Sequence, residues 1–94
     1  MRNVFVITKN NDTKLYGKEE GRRLFCECVG NEVDFSKPIT IIFPDNVDNI
    51  SSSFAHGFFE KILNEIGIIG FKRNVILKSA AIRNIKDYIL YKII

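Results

Sequence analysis

Three consecutive serines, Ser51, Ser52 and Ser53, stand directly before a helical periodicity, and the chain's single histidine, His56, follows within a turn. These are the residues whose types and spacing could do nucleophilic chemistry. A serine and a histidine three or four apart on a helix can touch. Hydrolysis by such a pair also needs a group to orient the base and donors for an oxyanion. Neither is visible, and no Gly-x-Ser-x-Gly elbow is present. Gly67 and Gly70 flank two isoleucines and make no phosphate loop. Cys26 and Cys28 are the only cysteines. Two apart on a helix, they point to nearly opposite sides, which suits neither a bridge nor a shared metal. With one histidine there is no zinc set, so both read as packing or surface thiols of a reducing compartment. The expectation is a chain with no catalytic residues, no metal and no cofactor.

The same serines suit a second chemistry. A helix start leaves backbone N–H groups unpaired, and a serine hydroxyl can accept from one of them, so one of the three is expected to be the N-cap. A phosphate there would meet free N–H groups and the positive end of the helix dipole. It would also add charge to a surface that a partner must cover. The reading of the serines as caps and turn formers alone stays open beside it.

The elements that position them are a strand and a helix. Ile39, Ile41, Ile42 and Phe43 form a β-rich apolar run closed by Pro44 and Asp45, as in a strand buried on both faces. Val47 and Ile50 carry the chain back to the core. From Phe54 the apolar residues fall at 54, 58, 59, 62, 63 and 66, a helical stripe that Gly67 ends. At about 100° per residue, Ser53, Gly57, Glu60 and Asn64 cluster on the opposite face, with His56 beside them. Glycine there costs about 1 kcal/mol relative to alanine. Either something approaches the backbone closely at Gly57, or it is a neutral surface glycine.

This stretch resembles the STAS-like family of small bacterial and phage proteins, similar in turn to the STAS domains of anti-sigma factor antagonists. The pattern is a strand ending in Phe, a short loop, Ile-Ser-x-Ser-Phe opening a helix, and Gly after it. The matching residues are Phe43, Val47, Ile50, Ser51, Ser53, Phe54, Phe58 and Gly67. The resemblance covers roughly two thirds of the chain. Two departures stand out: the family's Asp before the strand Phe is Ile42 here, and its acidic pair after Ser-Phe is His56 and Gly57. The resemblance implies that Ser52, or a neighbour, is phosphorylated by a partner kinase. It also implies a histidine-kinase-type ATPase as the protein partner. The expected function is a non-catalytic regulatory protein-binding module with Ser51, Ser52, Ser53, His56, Gly57 and Glu60 as its surface.

Composition bounds the alternatives. The chain has 94 residues, 46% of them hydrophobic and eight of them Phe, so one domain over 1–94 can build a core without staples. The net charge is +3, with lysines and arginines scattered rather than in a block. Nucleic-acid binding is therefore disfavoured. A weakly basic nucleic-acid-binding protein and a phage or anti-phage defence component are the alternative readings. No run approaches the length that spans a bilayer, and Met1-Arg2-Asn3 leads straight into a strand-like run rather than a signal segment. A cytoplasmic location is expected.

Taken in order, Val4 to Ile7 predicts a strand and Lys9 to Thr13 a turn. Leu15 and Tyr16 either extend a hairpin arm or lead into a helix over Lys18 to Val29. Glu19 and Glu20 near its start suit the helix dipole. Ile68 and Ile69 are expected to cover the end of the serine-bearing helix, and Asn74 to Lys78 to form another strand. Ser79 is the expected cap of a last helix whose inward stripe is Ile82, Ile85, Ile89, Leu90 and Ile93. Tyr88 and Tyr91 fall on its far side, either as a second contact surface or with their rings against the domain. This alternation predicts an α/β fold: a small mixed sheet of about four strands with three helices, STAS-like. Its core would include Ile41, Phe43, Phe54, Phe58, Ile62, Ile76 and Ile89.

Overall fold

The apolar run at the head of the serine loop is the centre strand of a parallel sheet. The computed structural model describes residues 3–8 and 13–94. In it β1 (Val4–Val6) and β2 (Lys14–Leu15) precede α1 (Lys18–Cys28). Then come β3 (Ile39–Ile42), β4 (Asn49–Ile50), α2 (Ser52–Asn74), β5 (Val75–Lys78) and α3 (Ile85–Ile93). The order β1-β3-β5 makes a three-stranded sheet, and β2 pairs with β4 in a two-stranded one. Both are parallel throughout. The expected α/β fold with three helices is what the chain forms. The turn expected at Lys9 to Thr13 lies, over residues 9–12, outside the described residues, as do Met1 and Arg2.

Parallel neighbours need crossovers, and α1 and α2 supply them. Two successive right-handed crossovers in one direction put both helices on one face of the sheet. Burial agrees: Phe5, Ile39, Ile41, Val75 and Leu77 are buried beneath the helices. On the other face Val4, Val6 and Ile76 are exposed. Ile76 is therefore not a core residue. It sits at the alternate position of β5, 46% exposed, because only one face of this sheet is covered. The other six expected core residues, Ile41, Phe43, Phe54, Phe58, Ile62 and Ile89, are buried. Phe58 is their hub. Its ring lies 4.9–6.1 Å, centre to centre, from those of Phe25, Phe43, Phe54 and Phe59, in edge, tilted and stacked contacts.

Two boundaries differ from the sequence reading. Gly67 has φ 69° and ψ 178°, a conformation essentially reserved for glycine, and it breaks the helix direction as expected. The chain then resumes helical geometry over 68–74, which leaves Ile68 and Ile69 exposed instead of covering the helix end. Ser79 does cap, its hydroxyl accepting from Ile82 N–H at 2.9 Å, but what it caps is a single turn. Asn84, at φ 52°, then redirects the backbone and α3 begins at Ile85.

Candidate binding surface at the start of the second helix

The three serines do three different things. Ser51 is the N-cap, with extended backbone and Oγ accepting from Phe54 N–H at 3.1 Å. Ser53 Oγ lies 3.1 Å from Ser51 Oγ. Ser52, the first helical residue, is exposed, and its side chain makes no hydrogen bond among the described residues. His56 is exposed one turn on, and no hydrogen bond joins it to either Ser52 or Ser53 among the described residues.

The loop entering this helix is clamped from both sides. Ser51 N–H donates to Leu15 C=O at 2.9 Å across the β2–β4 pair. On the other side Ile50 N–H donates to the Tyr88 hydroxyl at 2.9 Å, where a further strand would otherwise sit. That hydroxyl also lies 3.3 Å from Asn49 Oδ1 and 3.2 Å from Ile50 C=O, either of which can take its proton. Tyr88 is thus a half-buried brace of the serine loop, not a free contact residue; a buried tyrosine seeks a partner for its hydroxyl and β4 offers one. Lys92 Nζ sits 4.6 Å from the centre of the Tyr88 ring. Tyr91 is 89% exposed. The bracing by Tyr88 brings α3 against the serine loop, so the two surfaces that looked separate in the sequence adjoin.

Gly57 and Glu60 belong to a different environment. Gly57 is buried, and a Cβ built on it would come within 2.1 Å of Lys18 C=O. Across the same crossing a Cβ on Gly21 would come within 2.3 Å of Phe54 C=O. The backbones of α1 and α2 touch through a glycine from each helix, so the close approach that Gly57 permits is made by the chain itself. It is not a partner-facing position. Glu60 is held at the same junction: Arg22 donates Nε to Oε1 and Nη2 to Oε2, both at 3.0 Å. Arg22 Nη1 also donates to Glu19 at 2.8 Å. The paired bond holds the Glu60 carboxyl below the usual carboxylate range and raises Arg22. Sequence reasoning missed Gly21 and Arg22 as the partners of this flank. The signal was there: two helices in succession, each with an interior glycine.

Beside the crossing, Arg22, Phe25, Cys26, Gly57, Glu60 and Lys61 line an open cleft of about 250 Å³. Cys26 is exposed, Cys28 half-buried, and both are free thiols. Among the described residues no three His, Cys, Asp or Glu side chains gather as a metal set requires, and no helix is long and apolar enough to cross a membrane. The surface that remains accessible at the start of α2 is Ser52, Ser53 and His56, with Tyr91 exposed on the helix that braces the loop. The chain matches no family model, no curated protein and no solved structure.

Proposed function

We propose that the chain is a non-catalytic regulatory module that binds another protein through the exposed start of α2, and that Ser52 is its phosphoacceptor. The observation that carries this reading is the separation of tasks among the serines. Ser51 holds the cap, so modification there would cost the helix its first bond. Ser52 is exposed and holds nothing, so it can take a phosphate without loss to the fold. A phosphate on the first helical residue would stabilise the helix through its dipole while recasting the surface charge. The resemblance to STAS-like proteins supports the kind of partner, a histidine-kinase-type ATPase, and a cytoplasmic setting.

The test is a calorimetric titration of the chain against a histidine-kinase-type ATPase. Ser52→Asp should weaken binding at least tenfold, about 1.4 kcal/mol or more, while Ser52→Ala retains it. Ser52→Asp should also melt no lower than the parent chain, because an acid suits this helix end. Equal affinity for Ser52→Asp and the parent would refute the reading of Ser52 as the switch.

A further inference from the structure

The two edges of the three-stranded sheet are treated differently. On β5 the backbone groups of Val75 point away from β3, and both are taken. Its N–H donates to Phe71 C=O at the end of α2, and its C=O accepts from Lys86 Nζ of α3. Lys86 Nζ also reaches Lys72 C=O at 3.1 Å. The start of that edge is closed by a lysine and a helix end, devices that commonly guard a sheet edge, whereas the outward N–H and C=O of Leu77 have no partner among the described residues.

The β1 edge carries no such guard among the described residues. Thr40 N–H donates to Asn3 C=O and Ile7 N–H to Ile42 C=O, so the odd-numbered residues of this strand bond inward to β3. The N–H and C=O groups of Val4 and Val6 therefore point outward. They have no partner among the described residues. Val4 is 49% and Val6 56% exposed, and the strand has no charge, proline or bulge to deter pairing.

We propose that β1 pairs antiparallel with β1 of a second copy of this chain, joining two three-stranded sheets into one of six strands. The sequence of the edge selects a second copy over a foreign strand. Val4-Phe5-Val6 reads the same in both directions, so a two-fold axis at Phe5 sets Val4 opposite Val6 of the other copy, and Val6 opposite its Val4. Those are the residues whose backbone groups point outward. Each pair exchanges two hydrogen bonds, which makes four in all, in the geometry of narrow antiparallel pairs. Valine then faces valine on one side of the sheet, a favourable cross-strand contact, and no like charges meet. Closed two-fold pairing of this isologous kind is the commonest route to a homodimer. The edge is short, so the dimer is weak and concentration-dependent, with a dissociation constant on the order of 100 μM as suits a small interface.

Sedimentation equilibrium of the whole chain up to about 1 mM tests this. The parent chain should dimerise. Val4→Lys with Val6→Lys sets lysine against lysine in both pairs and should weaken association at least tenfold. Val4→Lys with Val6→Glu sets lysine against glutamate in the same register and should restore the dimer. Ile76→Lys lies on the same open face but on β5, and should leave it unchanged. In the dimer, the Val4 and Val6 amides should exchange more slowly as concentration rises. A parent chain that stays monomeric, a dimer indifferent to the double lysine, or one lost with Ile76→Lys would overturn the proposal; the last would mean that the open faces pack instead. Circular dichroism of each variant, in which these exposed positions should leave the fold intact, separates loss of pairing from loss of structure.

Discussion

His56 and Gly57 are neighbours on α2, and they meet opposite surroundings. His56 is exposed one turn after Ser52, whereas Gly57 lies against the first residue of α1 with no room for a side chain. A helical wheel puts both away from the apolar stripe. The wheel orders residues around an axis, but it does not say how many neighbours the helix has. α2 makes its heaviest contacts with α1, and α3 packs on it as well. Its covered arc is therefore wider than its apolar stripe, and it takes in a glycine and a glutamate as well as phenylalanines. Where two backbones must touch, the residue that permits burial is the smallest, not the most hydrophobic.

The largest test of this contrast substitutes lysine at each neighbour. Gly57→Lys forces a Cβ into the Lys18 carbonyl, which is backbone and can move only with α1. The cost should be about 3 kcal/mol or more, beyond the roughly 1 kcal/mol that a better helix former returns. That is a large part of the 5–15 kcal/mol, roughly, that holds such a domain folded. His56→Lys should stay within about 0.5 kcal/mol. Urea midpoints measure both. Matching midpoints would mean that α1 slides aside cheaply, and the split between the two flanks would not hold.

A smaller contrast separates Ser51 from Ser52. Ser51→Ala removes the acceptor for Phe54 N–H and should cost about 1 kcal/mol. Ser52→Ala removes nothing that the fold uses and should change the urea midpoint by less than about 0.5 kcal/mol would. If the two losses are equal, the cap is shared between the serines, and Ser52 is not free for modification.

Local chemistry was legible in the sequence; coverage was not. The apolar run at Ile39, the serine cap, the stripe through Phe54, Phe58 and Ile62, and the glycine break at 67 all follow from local periodicity and propensity. Each appears where those rules put it. Ile76 shows the limit. The run at Ile39 reads as buried on both faces, yet this sheet has helices on one face only, so Thr40 and Ile42 are half-buried and the alternate residues of β5 are exposed. Tyr88 shows another. Its place on α3 was legible, but the β4 groups that its hydroxyl meets are 38 residues away in the chain, and no local pattern encodes that pairing. Glu60 and Gly57 read as partner-facing because the chain's own partner for them, α1, is equally distant.

The smallest contrast concerns charge on the covered flank. The Arg22 bond to Glu60 depresses the carboxyl more strongly than desolvation raises it. A carboxylate whose folded pKa is lowered binds fewer protons folded than unfolded over the acid range, so it contributes stability above its unfolded pKa. That contribution is lost as pH falls through the folded pKa. Glu60→Gln should therefore melt below the parent at pH 7, with the gap narrowing as pH falls below about 4. The parent keeps an acid slope of its own from Asp34, whose carboxyl is also lowered, by hydrogen bonds from the Ser36 hydroxyl and N–H. Asp34→Asn should remove that separate part and leave the Glu60 gap in place, since the two carboxylates bond to different partners. Both groups are half-exposed and reached by solvent, so the shifts are small beside the glycine effect and shrink further in salt. Thermal melts from pH 7 to pH 3 at low ionic strength check the sign. If the curves of Glu60→Gln and the parent run parallel throughout, Glu60 titrates alike folded and unfolded, and the Arg22 pair adds nothing to the α1–α2 crossing beyond what its two glycines allow.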